Sequence, residues 1–379
     1  MRIIITSLFC AVSIIVTAQT NETNKANEFK ERPFQLSFIT PLGTNGIDSH
    51  LIANKVSLNI LGGYSYGNSY FELAWLYNVN LHFTRGLVIA GLFNYSGNTE
   101  NAVQLAGLFN SSMDGNANLQ IGGILNLAKE STFQLSGISN ISTGSTGAQL
   151  SGIVNIAEKS TFQLAVITNI SLDAVGTQIG VINIAKEVNG LQFGLINIAE
   201  DMNGTPIGFF TFVKNGGKRE FEIGFSESLN TFASFKSGVN RFYNISSIGV
   251  NYIDKPVLSG MGFGVGTQID WKEGWGNQIE MLFYDIFDDK WPSLINLLLR
   301  QYEANFLYQL KIKTSKQFND YFKVFAGPVF NLTASRRMDS DTERTGTALS
   351  PWSIWKTESK KTNINSWIGI EAGVSVSLK

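Results

Sequence analysis

Cysteine is nearly missing from this chain of 379 residues: Cys10 is the single copy, and it sits inside an N-terminal apolar run. Disulfide staples and thiolate metal sites are therefore excluded from the rest. Histidine is almost as scarce, with His50 and His82 far apart and in no recognisable ligand spacing. Charge is thin as well. Charged residues make up 16% and the net charge is −1, so no basic face is available for nucleic acid. Beyond the N-terminus no apolar run approaches the length of about 18 residues that a membrane helix needs. The G-x-S-x-G elbow, the phosphate-binding Walker loop and H-E-x-x-H are also missing. No catalytic residue, cofactor or metal is expected, and an outer-membrane hydrolase has no residues to support it.

The N-terminal run itself reads as a targeting segment. Arg2 precedes an apolar stretch from Ile3 to Val16, and Val16-Thr17-Ala18 supplies small residues for cleavage. Residues 1–18 are therefore expected to be a signal peptide, with a polar, disordered leader over 19–32. Phe9 stands before Cys10 where a lipoprotein signal has a small residue, which argues against lipid attachment. An exported chain without a helical anchor is either free outside the inner membrane or a β-barrel in the outer one.

What the chain has in quantity is glycine, 37 residues, and phenylalanine, 27, as a protein of many short aromatic strands would. Over residues 72–213 a phrase of Gly, two residues and Asn recurs. It gives Gly91/Asn94, Gly107/Asn110, Gly123/Asn126, Gly137/Asn140, Gly152/Asn155, Gly180/Asn183 and Gly194/Asn197. Asn78 and Asn169 are partial copies, preceded by Trp75 and Val166. Thr132-Phe133-Gln134-Leu135 returns as Thr161-Phe162-Gln163-Leu164, and charged connections alternate with neutral ones. An antiparallel meander produces this alternation, and so does a β-solenoid with two strands per coil. The recurring Asn and Gln cannot face lipid unpaired, since each such burial costs on the order of 1 to 3 kcal/mol. They either line water or stack as ladders. Ile138, Ile153 and Ile167 share the face of the Asn and must be covered by something, and what covers them decides between a plugged barrel and a solenoid.

Residues 33–71 hold two strands, around Phe34–Phe38 and Val56–Ile60. Residues 214–379 carry longer alternating runs: Phe221, Ile223 and Phe225 against Glu220, Glu222 and Gly224, and Met261, Phe263 and Val265 against Gly262, Gly264 and Gly266. Tyr308, Leu310 and Ile312 alternate with Gln309, Lys311 and Lys313, and Ile368, Ile370 and Val374 with Gly369, Glu371 and Ser375. Placing Glu303, Lys311 or Lys313 toward hydrocarbon would cost up to about 2 to 4 kcal/mol each, so the charged face is expected inside and the apolar face outside. A short helix is expected over 288–300 and a long loop over 334–362. Asp285, Asp288 and Asp289, or Asp339 and Asp341, are the remaining candidates for a cation, without the regular spacing of a calcium loop.

Phe34 to Gly46, Ser57 to Gly63 and the Gln-x-x-Gly-x-x-Asn repeats together resemble a bacterial surface-repeat family of Gram-negative outer envelopes. The resemblance spans about 34–211 and implies a β architecture and a surface location, with no assigned activity. The expectation is an all-β outer-membrane protein over 33–379, an antiparallel meander closed as a barrel, with outer-membrane lipid as its partner. The second arrangement is a β-solenoid repeat region joined to a smaller barrel. The role expected is structural or passive transport through a narrow or plugged pore, or, with the solenoid, surface binding.

Overall fold

The computed structural model describes residues 29–253, 257–288, 305–336, 349, 352–359 and 362–378. The expected signal peptide, the leader up to residue 28, residues 289–300 of the expected helix, Glu303 and most of the 334–362 loop lie outside the described residues. The last leader residues already belong to a strand, Lys30–Ile39. Part of the expected loop, Trp355–Ser359, is also a strand, paired with the start of Thr362–Ser377.

The chain is all-β, and the repeats take the second of the two expected arrangements. Lys30 to Val213 winds as a parallel solenoid in which each coil lies on the one before it. One coil holds a Gln arm such as Lys159–Ala165, a corner at Val166-Ile167, an Asn arm beginning at Thr168, and a second corner. Stacking is in register, so like meets like. Asn140 pairs with Asn126 and Asn155, Asn183 pairs with Asn169 and Asn197, and Gln134 pairs with Gln120 and Gln149. At 14, 15 or 16 residues per coil, the eight steps from Asn78 to Asn197 span roughly 40 Å at about 4.8 Å per rung.

The expected single meander of all strands is thus replaced, and the reason lies in Gly152-Ile153 and its sister pairs. Read as one strand, Gln149 to Ala157 puts Gln149, Ser151, Ile153 and Asn155 on one face. In the fold the chain bends there, the strands being Ser145–Ser151 and Val154–Ala157. The bend resets the alternation. Gln149, Ser151 and Asn155 point inward, whereas Ile153 turns out and is exposed. The same holds at Gly180-Val181, where Val181 is exposed and Asn183 is buried. Close approach at this bend also explains the glycine, because a Cβ on Gly152 would lie 2.2 Å from the Gly137 carbonyl oxygen of the coil before.

Residues 218–377 form an antiparallel barrel. Among the described residues eight strands close it: Lys218–Ser226, Thr231–Val239, Phe242–Asn251, Leu258–Asp270, Trp275–Asp288, Asn305–Gln317, Phe322–Ser335 and Thr362–Ser377. Closure is direct, with Glu220 opposite Ser377 and Ser226 opposite Glu371. The charged-inside expectation holds for Lys311 and Lys313, which are buried, while Tyr308, Leu310 and Ile312 are exposed.

The last coil of the solenoid rests on the outer wall of the barrel. Asn244 Nδ2 donates to Thr211 Oγ1 at 3.1 Å, the Thr211 amide donates to Ser237 Oγ at 3.4 Å, and Phe209 meets Phe263 with ring centres 5.0 Å apart. At the opposite end Asn45 Nδ2 donates to Gln35 and Asn54. The barrel thereby covers one end of a stack otherwise open to pairing, and Leu42-Gly43 with Asn45 covers part of the other.

Candidate functional site

The repeat residues are brought together, but as the interior of the solenoid and not in a barrel wall. From Asn59 to Asn183 each ladder Asn Nδ2 donates to Oδ1 of the Asn in the next coil, ending on Asn197; for Asn94, Asn110, Asn126 and Asn155 the distances are 2.9 to 3.0 Å. The same Nδ2 donates to a backbone carbonyl, such as Leu164 O for Asn155, at 2.7 Å. Asn169 and Asn183 continue the pattern toward the barrel. Asn169 donates to Asn183 at 3.0 Å, and Asn183 donates in turn to Asn197 at 3.0 Å and to Phe193 O at 2.9 Å. Asn169 therefore stacks as a full member of the ladder, although its repeat has Val166 in place of the glycine. The Gln ladder runs the other way. Gln120, Gln134, Gln149, Gln163, Gln178 and Gln192 each donate from Nε2 to the preceding Gln at 2.7 to 2.8 Å. These amides are buried and, apart from Gln192 Oε1, partnered, so they hold coil to coil and offer no surface to a ligand.

Gly91, Gly107, Gly123, Gly137, Gly152 and Gly194 share one role. A Cβ at Gly107, Gly123 or Gly137 would stand 2.1 to 2.3 Å from the carbonyl oxygen of the glycine below it. Gly180 follows Val166 rather than a glycine and meets Ala165 O at 2.8 Å instead.

One ladder position differs. Glu72 lies in register between Ser57 and Val88, where later coils have Gln104 and its successors. It accepts from Asn59 Nδ2 at 3.0 Å and from Asn80 Nδ2 at 2.6 Å. Burial pushes its carboxyl up to about 7, against the two hydrogen bonds.

The barrel interior is a packed charge network. Lys313 Nζ reaches Glu280 at 2.8 Å and Glu222 at 3.0 Å, Lys236 reaches Glu280 at 2.6 Å and also pairs with Glu222, and Lys311 reaches Glu371 at 2.7 Å. Toward one end Glu220 is held by Lys323 at 2.7 Å and Lys218 at 3.0 Å. Toward the other an apolar cluster that includes Leu229, Leu258, Ile286, Leu307 and Trp367 fills the cross-section. The glycine lane Gly262, Gly264 and Gly266 makes room for Tyr284, Leu282 and Tyr243, which would collide with a Cβ at 2.5 to 2.7 Å.

Carboxylate oxygens of Glu222, Glu280 and Glu371 lie within 4.8 Å of one another, close enough for a cation. Lysine ammonium groups already occupy that space, so the three acids read as an ion-pair core. Each of the three stands on a separate strand, and nothing local in the sequence indicates that they meet. The signal available was parity: Glu222, Glu280, Lys313 and Glu371 each stand on the face of their run opposite the exposed Ile223, Ile279, Ile312 and Ile370.

Elsewhere the expected candidates stay apart. His50 is exposed on the short helix Gly46–Leu51, and His82 stacks on Tyr66 at 4.0 Å. Asp285 and Asp288 lie on one strand, and Asp289, Asp339 and Asp341 are outside the described residues. An open groove of about 930 Å³ on the outer surface is lined by Ile170, Ile184, Ile198 and Phe212 and by Asp173, Lys186, Glu200 and Lys214. No family model, curated protein or solved structure matches this chain.

Proposed function

We propose that this is an outer-membrane protein in which a sealed eight-strand barrel crosses the bilayer and anchors the repeat solenoid, with a structural role. One observation carries the reading: the barrel is charged within and apolar without. Lys236, Glu222, Glu280, Lys313 and Glu371 are buried, while Phe221, Ile223, Phe263, Val265, Ile279, Met281, Ile312, Ile368 and Val374 are exposed. In water such a barrel would expose its apolar wall and bury its charges, the reverse of what favours folding; in lipid the arrangement is favourable. Of the two roles expected from sequence, a filled cross-section favours anchoring over conduction.

The connections support an orientation. The short connections 240–241, 271–274 and 318–321 lie at the end where the solenoid joins, whereas Ser226, Asn251, Asp288 and Ser335 end their strands at the other, where the sequence 289–304 separates Asp288 from the next strand at Asn305. Outer-membrane barrels keep short turns in the periplasm. On that rule the solenoid faces the periplasm, which speaks against an adhesive role at the cell surface.

Purified protein in detergent is expected to migrate faster on gels before boiling than after, as a closed barrel does, and to produce no conductance steps in planar bilayers. Identical migration would overturn the barrel anchor; steps of steady conductance would replace anchoring with transport.

A further inference from the structure

On that reading, we infer that the solenoid is sunk edge-on in the inner-side leaflet beside the barrel, its Gly-Ile corners among the acyl chains and its charged corners in water. The corners form a ridge of exposed aliphatic side chains that includes Ile124, Ile138, Ile153, Ile167, Val181 and Leu195. Charge is kept away from it. Phe133 to Ser142, Gly147 to Ala157, Thr161 to Leu172 and Gly176 to Ala185 contain no charged residue. The opposite corners carry coil-to-coil ion pairs, Lys129 with Asp114 at 2.7 Å, Lys159 and Lys186 with Asp173 at 3.3 and 3.4 Å, and Lys214 with Glu200 at 3.2 Å.

The occupant of the ridge is identified by continuity with the barrel wall. Phe209, the ridge residue of the last coil, stacks on Phe263, which sits near the middle of Leu258–Asp270 and faces outward. The charged corner of that coil, at Lys214, leads instead to Lys218 at the short-turn end of the barrel. The ridge is therefore level with the centre of the barrel's apolar belt, and the charged edge is level with its rim. Depth agrees: the uncharged arm from Ser160 to Ala165 covers about 16 Å at about 3.3 Å per residue, close to half of a hydrocarbon core of about 30 Å.

Lipid also demands that no backbone group be left open, a condition ordinary loops fail. The isoleucine amides of three successive corners meet it. The amides of Ile124, Ile138 and Ile153 donate to Leu108 O, Ile124 O and Ile138 O at 2.8, 3.2 and 3.0 Å, and Gly137 donates to Gly123 O at 3.1 Å. The polar interior is closed by its own ladders, so the wedge presents mainly hydrocarbon to the leaflet, with the part-exposed hydroxyls of Ser139 and Thr168 beside the ridge.

Nitroxide labels at single cysteines test this in full-length Cys10→Ser protein reconstituted in phosphatidylcholine vesicles. Sites are Ile138 and Ile153 on the ridge, Glu158 on the charged edge and Met281 on the barrel belt. Ridge and belt labels are expected to relax with oxygen and to be shielded from a water-soluble nickel chelate, with the Glu158 label reversed. Ridge labels open to nickel beside a lipid-facing Met281 would overturn the inference and leave the barrel reading standing. Ridge labels shielded from both reagents would overturn it in favour of a second copy or a protein partner. A Met281 label open to nickel would overturn the barrel reading and the inference with it.

Discussion

Glu72 is the one carboxyl set into an amide ladder, and its position makes stability depend on pH. Burial raises its folded-state value to about 7, above the ordinary carboxylate value of 4.5, so the folded chain holds this proton more tightly than the unfolded chain. Stability from this group is therefore greatest below about 4.5, falls as pH rises from there to about 7, and stays low above. By linkage the fall is on the order of 3 kcal/mol. Glu72→Gln, which places the residue type of Gln104 in that rung, is expected to flatten this slope. Urea midpoints followed by circular dichroism from pH 4 to 8 check it; an unchanged slope in the variant would locate the proton elsewhere.

At the scale of the coil, the tightest constraint is the stacked glycine. Gly123→Ala puts a methyl group 2.1 Å from the Gly107 carbonyl oxygen, so two coils must move apart. A loss of about 1 to 3 kcal/mol is expected, as for other overpacked sites. Val166→Ala, at a corner that already accepts a side chain and is 68% exposed, should change the urea midpoint little. Equal losses at the two sites would mean that the corner geometry, not the close contact, sets the preference.

These glycines also mark the limit of what could be read from residues alone. Length and alternation gave the long barrel strands, because Phe221 to Phe225 or Tyr308 to Ile312 have one partner pattern and one period. The repeat has the same period on either side of Gly152 but opposite phase, and a bend of two residues carries no periodicity of its own. Asn155 beside Ile153 looked like two residues of one face needing separate covers. In the fold one is inside and one outside, as are Asn183 and Val181. The alternation of charged and neutral connections was equally ambiguous, since successive corners along one edge of a solenoid give it as readily as the two rims of a sheet. The Glu222, Glu280 and Glu371 cluster joins three separate strands, a distance in sequence that no local pattern encodes.

For the whole molecule, orientation is the decisive property. A cysteine at Glu158 in the Cys10→Ser chain is expected to resist a membrane-impermeant maleimide on intact cells and to react once the outer membrane is opened. Reaction on intact cells would put the solenoid on the outer surface and restore an adhesive role. The two units also differ in how they tolerate change in size. Adding a strand to a closed barrel alters its diameter and every interior pair, including the lysine and glutamate core. Adding a coil to the solenoid repeats contacts already present.

The opposed direction of the two ladders bears on that freedom. Asparagine amides point their N–H groups toward the barrel and glutamine amides point theirs away, each fixed by a backbone carbonyl such as Leu164 O for Asn155 or Ile156 O for Gln149. From Gln104 to Gln192, where both ladders are present, their dipoles oppose one another rung by rung. A stack with both ladders aligned would gather polarisation with length, as a helix does, and its ends would need charge to offset it. Here each duplicated coil is electrically neutral along the axis, so gene-level duplication of 14 to 16 residues lengthens the stack without changing what its end caps must supply.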